Sequence, residues 1–260
     1  MMQNEIFDTK VFAKLNLSLA ITGKRGNLHT LDMIVYPYDK LCDEVRFYPN
    51  DKIGLEGLDT SGYDGFDSAR FYKENCQKLD EILRHFDVGG RLEIVKNIPL
   101  GAGMGGSSAV YAGVVKVVQK YLCAIGKNTA IDAAYLLSLG SDVPCVYYAK
   151  PCRVRGVGED ISLLEDNVKL DFDIMAAKGG SDSAKCYKLY DEKCTQSNVA
   201  PPATIKDALD EMRNDLFEPA CMLNDNILLA YNTLKSKGYE KVMMSGSGST
   251  VFGVKVHNLQ

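Results

Sequence analysis

The segment Pro99-Leu100-Gly101-Ala102-Gly103-Met104-Gly105-Gly106-Ser107-Ser108 places four glycines in six residues. Glycine lets the backbone approach a ligand closely. A helix opening at the two serines would aim unpaired N–H groups, and the positive end of its dipole, at whatever the loop holds. The pattern suits a phosphate cradle, or more simply a tight strand-to-helix turn capped by Ser107. It lacks the G-K-[ST] of a Walker A loop, and no acidic residue stands after a strand about 20 positions on, as a dinucleotide fingerprint requires.

Asp142 lies between Ser141 and Val143-Pro144. It is either an ordinary cap on a short Pro-containing turn or a carboxylate able to take a proton from an attacking alcohol. Lys14, Asn16 and Ser18 share one parity of an otherwise apolar run and so form one polar strand face, reactive or merely solvated. His29, in Asn27-Leu28-His29-Thr30-Leu31, is one of only three histidines. Ser245-Gly246-Ser247-Gly248-Ser249 is a hairpin turn or a backbone segment small enough to lie against a substrate.

These residues need elements to hold them. Val11, Ala13, Leu15, Leu17, Leu19 and Ile21 occupy the odd positions while the even ones include Lys14, Asn16, Ser18 and Thr22, the period of a half-buried strand. A turn at 22–27 leads to a second apolar run, Leu31 to Tyr36, and a third strand, Asp43 to Tyr48. The Gly-, Asp- and Ser-rich stretch from Asn50 to Asp67 predicts loop. Helical spacing follows from Phe71 to Phe86, and a strand from Arg91 to Lys96 runs into the glycine loop. Val110, Val114, Val117, Val118, Tyr121 and Leu122 then give an amphipathic helix. A further helix is expected from Thr129, as its N-cap, to Leu139, with a strand around Cys145 to Tyr148. Beyond Gly156-Val157-Gly158-Glu159 the pattern predicts a strand near Leu170 to Ala177. Helical regions follow after Gly180, near Ile205 to Met212 and near Asn226 to Lys237, and the chain closes with a strand, a glycine loop and a strand.

Composition narrows the function classes. The 260 residues are 46% hydrophobic and carry 34 acidic against 30 basic side chains, a net charge of −4. That balance argues against a dedicated nucleic-acid binder while leaving room for one basic pocket. Apolar runs break well before the roughly 18 residues of a membrane span, and the first ten residues have no apolar core typical of an export signal, so a cytoplasmic, membrane-free chain is expected. The eight cysteines never occur as C-x-x-C and are expected to be buried thiols that pack as small hydrophobes.

Ala13-Lys14-Leu15-Asn16-Leu17, the Pro99 to Ser108 loop, Leu139-Gly140-Ser141-Asp142-Val143-Pro144, Gly156-Val157-Gly158-Glu159 and Ser245-Gly246-Ser247-Gly248 stand in the order and spacing of the GHMP kinases, which the chain resembles over nearly its whole length. The resemblance is strongest to members that phosphorylate a hydroxyl of a cytidine-diphosphate-linked polyol in the non-mevalonate route to isoprenoids. It implies a two-domain α+β fold: a ribosomal-protein-S5-domain-2-like N-terminal half (1–160) that binds ATP, and a ferredoxin-like C-terminal half (161–260) on the substrate side. It implies Asp142 as catalytic base and Lys14 as its cationic partner. Lys96 and Asn97 would lie near adenine. Residues Pro99, Leu100, Gly101, Ala102, Gly103, Met104, Gly105, Gly106, Ser107 and Ser108 would hold the ATP phosphates with Mg²⁺, Ser107 or Ser108 offering a hydroxyl. Asn16, Leu28, His29, Ser183, Tyr187, Gly246, Ser247 and Gly248 would line the substrate site, with Tyr187 stacking on cytosine. The partner implied is a small alcohol and neither nucleic acid nor membrane, on a monomer or weak homodimer.

Three features depart from that pattern. Leu28 stands where these kinases usually present Tyr, the glycine loop is one residue shorter, and Ala109 replaces an Asn or Asp. They leave two alternatives: a GHMP kinase of different substrate specificity, and a catalytically silent GHMP-fold binding module.

Overall fold

The computed structural model describes residues 5–165, 168–197 and 199–257. In chain order the elements are β1 (Phe7–Arg25), β2 (Leu28–Asn50), β3 (Gly54–Gly62), α1 (Ser68–His85), β4 (Gly89–Lys96), α2 (Gly106–Ala124), α3 (Ala133–Leu139), α4 (Val143–Tyr148), β5 (Cys152–Gly156), β6 (Asp160–Leu163), β7 (Lys169–Ala176), α5 (Ser183–Lys193), α6 (Ile205–Glu211), α7 (Phe217–Leu223), α8 (Asp225–Ser236), β8 (Lys241–Met244) and β9 (Thr250–His257). The fold is α+β. It divides into two compact units, each assembled from three stretches of chain: Met1–Ala13, Tyr38–Pro99 and Ser107–Ala149 in the first, and Lys14–Pro37, Leu100–Gly106 and Lys150–Gln260 in the second.

In the first unit the C-terminal part of β2 pairs antiparallel with β4, from Glu44 opposite Val95 to Asn50 opposite Gly89. β3 lies parallel to β4 on its other side. The predicted loop from Asn50 to Asp67 is thus largely a strand. Its glycines explain both the misreading and the structure, since a Cβ at Gly62 would stand 2.7 Å from the Lys96 carbonyl oxygen. Glycine reads as turn in a sequence, yet here it lets two backbones come close. Val110, Val114, Val117 and Val118 of α2 are buried with Phe47, Leu92 and Ile94 of the sheet. Gly113 lets the helix settle on it, for a Cβ there would lie 2.6 Å from Val45 Cγ2.

Two helices in this unit differ from expectation. α3 is capped by Asp132, whose carboxylate accepts from Ala134 N at 2.9 Å, and not by Thr129. The run Cys145 to Tyr148 is helical within α4 and not a strand, because Pro144 presets helical φ in the first turn. A short apolar run has no period by which to tell the two apart.

In the second unit the N-terminal part of β2 pairs antiparallel with β5, Leu31 opposite Gly156, and β5 with β6. The two apolar runs read as separate strands are therefore one 23-residue strand that changes partner along its length. A three-stranded sheet, β7-β9-β8, follows. β1 is not half-buried between residues 13 and 21. Both of its faces are covered, with Lys14 4% and Asn16 and Ser18 0% exposed. The polar side chains tolerate this because each is bonded, Ser18 Oγ accepting from Ile34 N at 3.1 Å. The cysteines are also less uniform than expected: Cys145, Cys152 and Cys186 are buried, Cys123 is exposed and the other four are half-buried.

The core of the first unit holds an ion pair, Asp43 with Lys96, both side chains fully buried. Asp43 Oδ1 also accepts from Asn97 N at 2.8 Å and Ile98 N at 2.9 Å, which ties down the chain where it leaves β4. Burial pushes the Asp43 carboxyl up and the Lys96 ammonium down, and the attraction between them opposes both shifts. Lys96→Met should therefore cost about 3–5 kcal/mol in chemical denaturation, since it strands a buried carboxylate. Adding Asp43→Asn should recover part of that loss, and a double variant as unstable as the sum of the two single variants would show that the two groups are not coupled.

Candidate functional site

The sequence-predicted residues separate by unit. Lys96, Asn97, Pro99, Ser107, Ser108 and Asp142 belong to the first; Lys14, Asn16, Leu28, His29, residues 100–106, Ser183, Tyr187, Gly246, Ser247 and Gly248 belong to the second.

Within the second unit the glycine loop is held by its carbonyl oxygens. Those of Gly101, Ala102, Gly103 and Met104 accept, in order, from Ser181 N at 3.3 Å, Thr250 N at 3.1 Å, Ser245 Oγ at 2.8 Å and Lys14 N at 3.1 Å. Four successive acceptors are thus engaged from outside the loop. Gly101, Gly103 and Gly105 have φ of +66°, +74° and +76°, whereas the residues between them do not have positive φ. Alternation of right- and left-handed residues is the backbone pattern from which anion-receiving nests of N–H groups are built. Gly103 could be no other residue, because a Cβ there would lie 2.1 Å from the Ser245 carbonyl oxygen. The 19-residue helix α2 begins at Gly106 with no acidic side chain in its first turn, which leaves the positive end of its dipole uncompensated by that turn.

The serine-glycine segment 245–249 is the loop's scaffold. Asn214, 7% exposed, donates through Nδ2 to the carbonyls of Met244 at 2.8 Å and Gly246 at 2.9 Å. Ser245 Oγ accepts from Asn16 N at 3.1 Å. Gly246 and Gly248 are buried and Ser247 is half-buried, its backbone oxygen accepting from Ser181 Oγ and its hydroxyl lying 2.6 Å from that of Ser183. Lys14 Nζ donates to Asn16 Oδ1 at 2.5 Å, which orients a buried cation on the strand beside this scaffold. Sequence reasoning named Lys14 and Asn16 but not Ser181, Asn214 or Thr250. Nothing in the local pattern marks those three, because each acts across a long sequence separation.

A second cluster in the same unit is aromatic. His29 stacks on Tyr187 with centroids 4.8 Å apart and planes at 23°, and meets Tyr190 edge-on at 6.3 Å. Leu28 beside it is 61% exposed. Glu159, of the Gly156 to Glu159 segment, accepts from Val157 N at 2.6 Å and pairs with Arg25 at 2.6 Å, a turn-closing role. Arg25 and the Val157 amide both hold its carboxyl below the ordinary range, after the larger effect of its own backbone amide.

In the first unit the Lys96 ammonium is directed at Asp43 and has no exposed surface, while Asn97 is exposed and donates through Nδ2 to the Cys42 carbonyl at 2.8 Å. Ser107 is exposed and Ser108 half-buried at the start of α2. Asp142 occupies the N-cap position of α4 with αR backbone angles, and its side chain makes no capping hydrogen bond. The simplest structural role for this carboxylate is therefore not the one it plays. Among the described residues no group of three or more His, Cys, Asp or Glu is placed to hold a metal ion. Among the described residues no helix is long and apolar enough to cross a membrane.

Comparison with known proteins gives a consistent result. Residues 70–150 match the family model for the GHMP kinases N terminal domain. The chain is 31% identical over 251 residues to the 4-diphosphocytidyl-2-C-methyl-D-erythritol kinase of Paracoccus denitrificans (strain Pd 1222), covering 93% of this chain and 84% of that one. It is 28% identical over 250 residues to the protein of that name from Rhizobium leguminosarum bv. trifolii (strain WSM2304), covering 93% and 83%. A crystal structure of 4-(cytidine 5'-diphospho)-2C-methyl-D-erythritol kinase superposes with a TM-score of 0.68 at 24% identity, over 95% of this chain and 89% of that one.

The loop geometry makes a graded prediction. Gly101→Ala meets only an ordinary contact, 3.6 Å from the Ser181 carbonyl oxygen, so it should cost about 1–2 kcal/mol for the left-handed backbone alone. Gly103→Ala adds a backbone clash and should cost clearly more in the same denaturation measurement. Equal losses would mean that the loop is not seated against Ser245.

Proposed function

Because the chain belongs to the 4-diphosphocytidyl-2-C-methyl-D-erythritol kinase family of the GHMP kinases, we propose that it transfers the γ-phosphoryl group of ATP to a hydroxyl of 4-diphosphocytidyl-2-C-methyl-D-erythritol. It is an ATP-dependent phosphotransferase, and the finer reading adds its acceptor and the residues that act. The observation that carries this reading is the relatedness over 93% of the chain.

In this mechanism the nest of loop N–H groups from Gly101 to Gly106 receives the ATP phosphates, already oriented because the loop's carbonyls are engaged elsewhere. Asp142 accepts the substrate hydroxyl proton as the new O–P bond forms, while the bond from the γ-phosphorus to ADP breaks and ADP leaves. Lys14 offsets the charge that develops on the transferred group. Lys96 and Asn97 would lie near the adenine, with Lys96 fixed by its ion pair to Asp43, and Pro99 would hold the ATP phosphates with the rest of the loop. Ser107 or Ser108 would offer a hydroxyl to Mg²⁺, which when bound with ATP neutralises phosphate charge. His29 and Tyr187 supply the aromatic surface for cytosine, and Asn16, Ser183, Gly246, Ser247 and Gly248 the remaining polar walls.

Leu28 favours one second reading, a GHMP kinase with another alcohol as acceptor. An exposed aliphatic side chain offers a base no π-face on that side. Purified protein supplied with ATP, Mg²⁺ and the cytidyl polyol should release ADP. Turnover of a different alcohol in place of the cytidyl compound would transfer the assignment to the second reading. Asp142→Asn should lower kcat by about 10²–10⁴ while the Kd for nucleotide changes little, since it removes proton acceptance and keeps shape. A fully active Asp142→Asn enzyme would disprove the role of base.

A further inference from the structure

Helix α5 carries Tyr187 and, one turn later on the same face, Asp191. The two carboxylate oxygens of Asp191 serve different partners in the β1–β2 hairpin. Oδ1 lies 2.8 Å from His29 Nε2 and Oδ2 lies 2.7 Å from Lys24 Nζ. The turn between Lys24 and His29 is thereby pinned to the helix that supplies the stacking ring. The His29 side chain is only 11% exposed, covered by Tyr187 and Tyr190, while Asp191 is 34% and Lys24 51% exposed. The hydrogen bond from Lys24, then that from His29, holds the Asp191 carboxyl below its ordinary range. An ionised carboxylate only accepts, so His29 Nε2 must carry a proton, and in the neutral ring Nδ1 is left as an acceptor.

The stack itself limits how a base can bind. Centroids 4.8 Å apart leave no room for a third ring between His29 and Tyr187. A base inserted between them would have to pull the His29 ring from Tyr187 and so from Asp191.

We propose that Asp191, held by Lys24, is a positioning residue for the base subsite: it fixes the His29 tautomer and preforms the His29–Tyr187 stack as one double-thickness platform, on whose outer face a pyrimidine lies. This rests on the cytidyl-polyol reading for the identity of the base, though not for the existence of the clamp. The platform makes up for the aromatic wall missing at Leu28, because a ring already ordered loses less freedom when a ligand stacks on it.

Two measurements on the full-length protein test it. In steady-state assays Asp191→Ala should raise KM for the cytidyl substrate about tenfold, the scale of losing a base-stacking contact. kcat and KM for ATP should stay within about twofold, and Asp191→Glu should recover part of the KM. An unchanged KM, or a lower one as expected if the base must part the two rings, would overturn the proposal. Independently of turnover, long-range ¹⁵N spectra at pH 8.5 should show the Nε2–H tautomer for His29 in the wild type and a mixture in Asp191→Ala. With three histidines in the chain, the signal is assigned from a His29→Asn variant. A wild-type enzyme inactive on the cytidyl substrate would refute the substrate reading alone, whereas the same tautomer in wild type and Asp191→Ala would refute the clamp.

Discussion

Four carbonyl oxygens in a row, from Gly101 to Met104, accept hydrogen bonds from outside their own loop, and the rest of the candidate phosphate site depends on that constraint. Fixing a peptide's oxygen on one side fixes its N–H on the other. A loop with three left-handed glycines would otherwise sample many conformations, since glycine loses more backbone freedom on folding than any other residue. Here the order comes from a donor set spread over β1, the chain before α5, and the start of β9. The serine-glycine segment, tied to the Asn214 amide through the Met244 and Gly246 carbonyls, completes it. The conformational cost is met during folding, before any ligand arrives, which is the condition for dipoles to stabilise charge without reorganising.

The same logic accounts for the polar residues buried along β1. A lysine and an asparagine with almost no exposure are costly unless each polar atom is matched. Lys14 gives a hydrogen to Asn16 Oδ1, Asn16 Nδ2 lies 3.3 Å from Met33 Sδ, and Asn16 N reaches Ser245 Oγ. The strand face that carries these residues is therefore a positioned set of donors. Asp43 and Lys96 are the counterpart in the first unit, where one carboxylate joins a charge pair to two backbone amides and sets the direction in which the chain leaves β4.

Elements with a strong period were legible in the sequence and those that lean on a partner were not. α1, α2, α8 and the β8–β9 hairpin have periodic apolar positions bounded by glycine or a cap, and they lie where that pattern puts them. β3 was unreadable because Gly54, Gly57 and Gly62, which permit its approach to β4, are the residues that signal a loop. α4 was mistaken for a strand because four buried residues in a row, Val143 to Val146, erase periodicity. β2 read as two strands because its middle residues are less apolar, although backbone pairing carries it through to a different neighbour. The candidate site was legible as a set of motifs and illegible as a set of contacts.

By itself the sequence determined the family, and with it the class of reaction. Five short segments in fixed order carry a glycine loop, a carboxylate and a lysine, and phosphoryl transfer demands groups of those types. Tertiary structure alone decided what each group is bonded to. Lys96 spends its charge on a carboxylate 53 residues away, His29 is oriented by one 162 residues away, and the Asn16 amide meets a hydroxyl 229 residues away. Propensity, capping and periodicity act over one or two turns of chain, so no reading of local pattern reaches those distances. The pairings follow only once the buried faces have packed and each enclosed polar atom has had to find a partner.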